Sequence, residues 1–313
     1  MPMRITVVGA GALGRLLAGL LARAGHPVSF VARGDALRAI AAKGFTVMTP
    51  AGPFETGPLR ASDKPSELGA SELVLVAVKS WQVEGVAPTL APLVGEGTMV
   101  LPVQNGVEAA DHLAAALGEA CVLGGVCHVL ATREAGDRVR YIGPAPLVTI
   151  GERPRGKSAR VDRLVDVLAE AGITARASEE IGVALWVKLL FVEPLGSVGA
   201  ATRSPVDVVR AVPETRAMLE RAMREVEAVA AGRGVRVPAD AVEKAMVRVD
   251  ALPEGATASM QRDIVEGRPS ELGEQTGAVV RLGRSVAVGT PVHDALYASL
   301  LPQERRSRGA AAP

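Results

Sequence analysis

The stretch ITVVGAGALGRLLAGLLARAG, residues 5–25, constrains the fold more than any other part of the chain. ITVVG (5–9) reads as a buried strand and ALGRLLAGLLARAG (12–25) as a helix closed by Gly25. Between them Gly9, Gly11 and Gly14 form a G-x-G-x-x-G pattern. In that pattern the first glycine permits a tight turn and the second lets backbone approach a pyrophosphate. The third lets the helix pack on the strand. Amides at the helix N-terminus then face the anion, with the helix dipole behind them. Glycines also serve ordinary tight turns, so the pattern carries weight only through its setting. PVSFVAR (27–33) follows as a second strand, so strand, turn, helix and strand fall within about thirty residues, the setting in which the pattern binds a dinucleotide. Gly9, Ala10, Gly11, Ala12, Leu13 and Gly14 are the expected cradle.

The second strand ends in VARGD, with Arg33 at its tip. A guanidinium there suits the 2′-phosphate of NADP better than the bare ribose of NAD. Asp35 lies two residues on and suits a cap for the helix that follows. Ligands of doubly wound sheets bind at the carboxyl ends of strands. Two such ends carry polar groups: Lys79 with Gln82 after ELVLVAV (72–78), and Gln104-Asn105-Gly106 after TMVLPV (98–103).

Alternating strands and helices predict an α/β, Rossmann-type doubly wound domain over 1–178. The strand-like runs between 121 and 151 read as antiparallel additions to the sheet edge. From 179 strand signals vanish, and 213–234, 238–252, 270–288 and 291–301 read as helices with prolines and glycines between them. An all-helical domain over 179–302 follows, with 303–313 as a frayed tail.

Lys plus Arg (35) nearly balance Asp plus Glu (34). No long-range field gathers nucleic acid or an anionic membrane, so neither is an expected partner. Cys121 and Cys127 lie six apart in one strand-like run, which suits two reduced thiols in a cytoplasmic protein. The histidines (His26, His112, His128 and His293) show no metal-ligand spacing, so no metal is expected. No stretch reaches the roughly 20 uninterrupted apolar residues of a membrane span. Helical faces such as MLERAMREVEAVA suit packing within the domain or against a second subunit, so a homodimer is one of two allowed states.

Within ALWVKLLFVEPLGSVGA (184–200), Lys188 stands among apolar residues. A lysine so placed either reaches water along its stem or has a task. The surrounding motifs favour the task, because together they resemble the ketopantoate reductase family (2-dehydropantoate 2-reductases). The resemblance runs from the start of the chain to residue 301 and rests on VVGAGALG, VKSWQ, QNGV, LWVKLLF and SMQRDIVEGRPSELGEQTG. It implies an N-terminal Rossmann domain, a helical C-terminal domain, and NADPH-dependent reduction of ketopantoate to pantoate on the route to coenzyme A.

By the same resemblance Lys188 is the catalytic lysine and Glu271 the active-site glutamate, which also reaches the cofactor. Ser259 binds the substrate carboxylate, and Asn105 lies beside nicotinamide and substrate. Lys79 and Gln82 line the adenosine end, and Ala131 touches the cofactor through its backbone. Asp263 matches as a structural cap. The family's substrate-gripping asparagines four and eight residues after the lysine are Val192 and Gly196 here. A small keto acid is the expected substrate. The altered pair leaves open a reductase of a different 2-keto acid or ketone, and a non-catalytic NADPH sensor is the remote alternative.

Overall fold

The computed structural model describes residues 2–134 and 137–309. The chain forms two compact units, Met1–Gln104 with Glu108–Gly182, and Asn105–Val107 with Val183–Pro313.

The first unit opens with β1 (Ile5–Val8), α1 (Ala12–Arg23), β2 (Val28–Val31) and α2 (Gly34–Ala42). A hairpin of β3 (Thr46–Thr49) and β4 (Gly52–Glu55) follows, then β5 (Arg60–Ser62), β6 (Leu73–Val76), α3 (Val83–Val86) and β7 (Met99–Pro102). It continues through α4 (Ala109–Leu117), β8 (Gly124–Glu134), β9 (Arg138–Gly151), α5 (Ala159–Glu170) and β10 (Thr174–Ala177). Five strands in the order β5-β2-β1-β6-β7 pair in parallel throughout. Every residue of β1, β6 and β7 is buried, as a parallel sheet covered on both faces requires. This is the expected doubly wound sheet.

The strands between 121 and 151 do not extend that sheet. β8 and β9 pair antiparallel, and β9 pairs in parallel with β3 and β10, so a second sheet forms in the order β10-β9-β3-β4. The reason lies in α1, whose residues from Gly14 to Leu21 are all buried. A helix apolar on all sides needs cover on all sides, and the second sheet supplies it. The packing is close: a Cβ built on Gly19 would lie 2.6 Å from Val47 Cγ2. Cys121 also departs from the expected strand. It ends a short 3-10 turn, while Cys127 lies buried in β8, and neither is in a disulfide.

The second unit is helical: α6 (Ile181–Thr202), α7 (Val206–Ala211), α8 (Pro213–Gly232), α9 (Ala241–Asp250), α10 (Ser259–Val265), α11 (Thr276–Ser285) and α12 (Pro291–Ser307). Its core gathers Trp186, Leu189 and Leu190 of α6 with Leu219, Met223, Val226 and Val229 of α8 and Val279 of α11. By length and composition α6 is long and apolar enough to cross a membrane, but 61% of its most apolar window is buried inside the protein. Residues 270–275 form a turn before α11, not the expected first turns of a helix. The expected frayed tail is corrected as well. α12 runs through Pro302 to Ser307, with Glu304 buried, while 310–313 lie outside the described residues. Pro302 reads as a stop because proline removes a helix hydrogen bond. Hydrogen bonds from Ser270 and Arg308 to the Glu304 carboxylate hold that last turn in place.

Candidate active site

In the first unit the three glycines of the loop do three different things. Gly9 has φ +104°, and a Cβ there would meet Val78 N at 2.8 Å. A Cβ on Gly14 would lie 2.1 Å from the Gly9 carbonyl oxygen, so only hydrogen fits between helix and turn. Gly11 has nothing within 4 Å of its Cβ position, and it is the N-cap of α1 with extended backbone. Gly11 thus leaves its own surroundings open at the start of α1, and the first turn of that helix carries no acidic side chain. Such a site favours an anion, so the loop fits a dinucleotide pyrophosphate.

Arg15 braces this loop, a role that sequence reasoning missed. Its side chain is 0% exposed; Nε donates to the Ala10 carbonyl at 3.1 Å and Nη1 pairs with Asp137 at 3.0 Å. Burial pushes its pKa down, and the Asp137 carboxylate partly restores it. The available signal was an arginine in the first turns of an otherwise apolar helix, which must be paired when buried.

The strand ends are placed as follows. Arg33 is exposed, in extended backbone just before α2. Asp35 does not cap α2; it lies in the first turn and pairs with Arg38. Lys79 is exposed after β6, and its backbone N donates to Gln82 Oε1 at 3.2 Å, so Gln82 shapes the turn. Gln104 is buried and structural, donating from Nε2 to the carbonyls of Val76 and Val78 at 2.8 and 3.1 Å. Ala131 lies in β8 of the second sheet, paired with Tyr141.

In the second unit α6 carries Lys188, Val192 and Gly196. Spacing by four puts them on one face. Lys188 is 7% exposed, Val192 is half-buried and Gly196 is buried. Gly196 has a packing reason of its own: a Cβ there would lie 2.8 Å from Met260 Cε, so α6 approaches α10 closely at this point. Ser259 is the exposed first residue of α10, next to Met260. Asp263 does not cap. It lies inside α10 and its Oδ1 accepts from Arg268 Nε and Nη2 at 3.0 and 2.8 Å.

Glu271 is 4% exposed, in the turn before α11. Its Oε2 accepts from Asn105 Nδ2 at 3.2 Å and from Gln275 Nε2 at 3.1 Å. Two residues expected at the site, Asn105 and Glu271, are thus joined across 166 positions of sequence, and Gln275 is a member the sequence did not reveal. Gly106 explains the close approach of the Asn105 loop: its φ is +95°, and a Cβ would lie 2.9 Å from the Glu274 carbonyl oxygen. Glu274, also unforeseen, is held above the usual carboxylate range by burial, with the charge of Glu271 adding to the effect. The unit thus buries a carboxylate gripped by two amides, and on α6 a lysine whose neighbours along the helix are apolar.

The family model described as "Ketopantoate reductase PanE/ApbA" matches residues 5–155, and that described as "Ketopantoate reductase PanE/ApbA C terminal" matches residues 180–304. A 2-dehydropantoate 2-reductase of Mesorhizobium japonicum is 33% identical over 317 residues, covering 95% of this chain and 96% of its own. Among solved structures, a PanE/ApbA family ketopantoate reductase from Ralstonia eutropha superposes with TM-score 0.89 at 29% identity, covering 98% of this chain and 100% of its own. The fold is also that of a D-mandelate dehydrogenase solved with NADH and anilino(oxo)acetate, with TM-score 0.87 at 21% identity, covering 98% of this chain and 99% of the other.

Proposed function

The chain belongs to the ketopantoate reductase family and is an oxidoreductase of that type working with a nicotinamide cofactor, and from that premise we propose that it reduces ketopantoate to pantoate with NADPH, Lys188 giving the proton. The observation that carries this reading is Lys188 itself, a lysine 7% exposed within an apolar helix.

Bound NADPH supplies the hydride. Hydride addition to the ketone carbon leaves the electron pair of the C=O bond on oxygen, which needs a proton or a fixed positive charge close by. A Lys188 N–H bond breaks as the O–H bond forms, and the neutral amine later regains its proton from water. Glu271 orients the ammonium or receives a substrate hydroxyl. Its own carboxylate is kept in place by the Asn105 and Gln275 amides. Ser259 holds the substrate carboxylate. On the cofactor side, the open face of Gly11 supports pyrophosphate binding, and exposed Arg33 supports the 2′-phosphate. The compartment is the cytoplasm, a reading supported by two thiols that are not joined in a disulfide.

The test is NADPH oxidation with ketopantoate by wild type and Lys188→Ala. Loss of a general acid lowers kcat by about 10²–10⁴-fold, and a variant that keeps the wild-type rate sinks the mechanism. A second reading, a reductase of another 2-keto acid, is favoured by one observation. At the two positions of α6 where an amide would grip substrate, Val192 is apolar and Gly196 is packed under Met260. A panel of keto acids compared by kcat/KM separates the readings, and preference for a substrate without the hydroxyl selects the second.

A further inference from the structure

The buried residues of α12 are His293, Leu296, Leu300 and Glu304. His293 and Glu304 are eleven residues apart, three turns and about 20°, so they share one face about 16 Å apart along the axis. That face has two leucines in its middle and an ionisable group at each end. Both ionisable ends reach elements that carry proposed site residues.

At the first end His293 is 0% exposed, and both its ring nitrogens meet carboxylates: Nε2 lies 2.7 Å from Glu193 Oε2 and Nδ1 lies 2.6 Å from Glu225 Oε2. With both carboxylates ionised, both nitrogens carry hydrogen and the ring is a cation. Glu225 of α8 also accepts from the backbone N of Val292 and His293, at 2.8 and 3.0 Å, so it caps α12 as well. Glu193 is on α6, five residues after Lys188, about 7.5 Å along the helix and 140° around it. It therefore ties down the side of α6 turned away from the Lys188 face. At the other end Glu304 accepts from Ser270 N at 3.1 Å and from Ser270 Oγ at 2.5 Å. Arg308 reinforces it, donating to Glu304 at 2.6 Å and to the Ser270 carbonyl at 2.7 Å. Ser270 immediately precedes Glu271.

We propose that α12 is a strut that sets the spacing between Lys188 and Glu271, with His293 and Glu304 as its positioning residues. Stability alone gives a weak account of the two polar ends. Buried ion pairs are often no more stabilising than apolar packing of the same volume, and Glu193 Oε1 is buried with no hydrogen-bond partner. What directional bonds at both ends do provide is one rotation and one axial register for each element they hold. Among the described residues no group of His, Cys, Asp and Glu could hold a metal ion, so a metal site does not explain the cluster.

The proposal rests on the assignment of Lys188 and Glu271 above, so its test has an arm that does not need that assignment. His293→Gln, Glu304→Asp and the control Leu296→Ala, which weakens the middle of the helix without unhooking its ends, are compared well below their melting temperatures. The end variants lower kcat by about ten- to a hundredfold, because a displacement near 1 Å is enough to do so. KM for NADPH holds, and Leu296→Ala stays near wild type in kcat. In single-turnover measurements the end variants add less than about twofold to the loss already caused by Lys188→Ala, since they act through the same group. Equal kcat losses in the control, or full additivity with Lys188→Ala, overturn the strut. The independent arm is acylation of Lys188 in the folded protein, read by peptide mass. Labelling rises about fivefold or more in His293→Gln over Leu296→Ala if α6 has been released locally. Equal labelling overturns the strut, whereas a Lys188→Ala protein with the wild-type rate and raised labelling in His293→Gln sinks only the mechanism.

Discussion

The glycine loop and the Glu271 turn solve opposite problems. The loop works by leaving out side chains: Gly14 has no room for a Cβ, and Gly11 leaves its surroundings open. The anion site proposed for it would come from backbone amides within six consecutive residues. The Glu271 turn works by burying side chains, with a carboxylate held by Asn105 and Gln275 and a neighbouring serine held by Glu304. Its parts come from positions 105, 270–275 and 304, so tertiary packing has to assemble it. A site made of backbone is set by local conformation, while one made of buried charge is set by distant partners and responds to their protonation.

Alanine at Gly14 and Gly11 should give the largest effects and break the first half of this comparison in two ways. Gly14→Ala places a methyl 2.1 Å from a backbone oxygen, which cannot move without displacing the turn. The expected loss is about 3 kcal/mol or more, as for severe overpacking, together with cofactor binding. Gly11→Ala meets nothing, so the melting temperature should stay within about 1–2 °C while cofactor affinity falls at least tenfold. Thermal melts and a cofactor fluorescence titration read both. Equal destabilisation by the two variants would show that the loop is not divided into a packing glycine and an approach glycine.

The next effect belongs to buried charge. Burial alone would push the His293 imidazole down, but the Glu193 charge and the hydrogen bonds the ring donates to Glu193 and Glu225 outweigh it and raise the pKa to about 9. A folded value above the unfolded one means stability fully present below about pH 6.5 and lost as pH rises through 9. The expected loss is on the order of 2–3 kcal/mol between pH 6.5 and 10. Lysines, tyrosines and thiols also titrate there, so the measure is the difference in melting temperature between wild type and Glu193→Gln. That difference should shrink as pH rises, and a constant difference argues that His293 is not a cation in the fold.

The same contrast decides what could be read from the sequence. The glycine loop was legible because its strand, turn and helix are contiguous and each residue type has a local reason. The parallel sheet was legible for the same reason, from the apolar runs at β6 and β7. The second sheet was not, because β9 finds its partner β3 some ninety positions away, and α1 demands cover that no local pattern announces. Lys188, Asn105 and Glu271 were singled out through motifs, yet Gln275 and the partners of His293 were not. Glu193 and His293 lie 100 positions apart, and a lone histidine beside an aspartate looks like surface. Pro302 and the charged run after it looked like a tail, because nothing nearby in sequence shows that Glu304 is buried against Ser270.

Arg33 returns to the loop side with a smaller effect. It is exposed, so the contribution it would make to the proposed 2′-phosphate is a charge-assisted bond in water. Arg33→Ser should weaken NADPH binding about tenfold and leave NADH nearly unchanged, with no change in melting temperature. Titration with both cofactors checks it, and an equal loss for the two would remove the case for a phosphate contact.

The smallest expected change is a gain, at the edge of the Glu271 turn. Glu274 has a buried Oε2 with no hydrogen-bond partner, and burial holds its carboxyl above the ordinary range. With the folded value above the unfolded one, the native state binds the proton more tightly. Stability therefore falls as pH rises from the unfolded value through the folded one, and at pH 7–8 the charged form is a burden. Glu274→Gln keeps the shape, removes the charge and relieves repulsion of Glu271. It should raise stability by about 1 kcal/mol, or ~2–4 °C, at pH 8 and by much less at pH 4. If melting falls at pH 8, the Glu274 carboxylate is being used, and the buried charge of this turn is shared between two glutamates instead of resting on Glu271 alone.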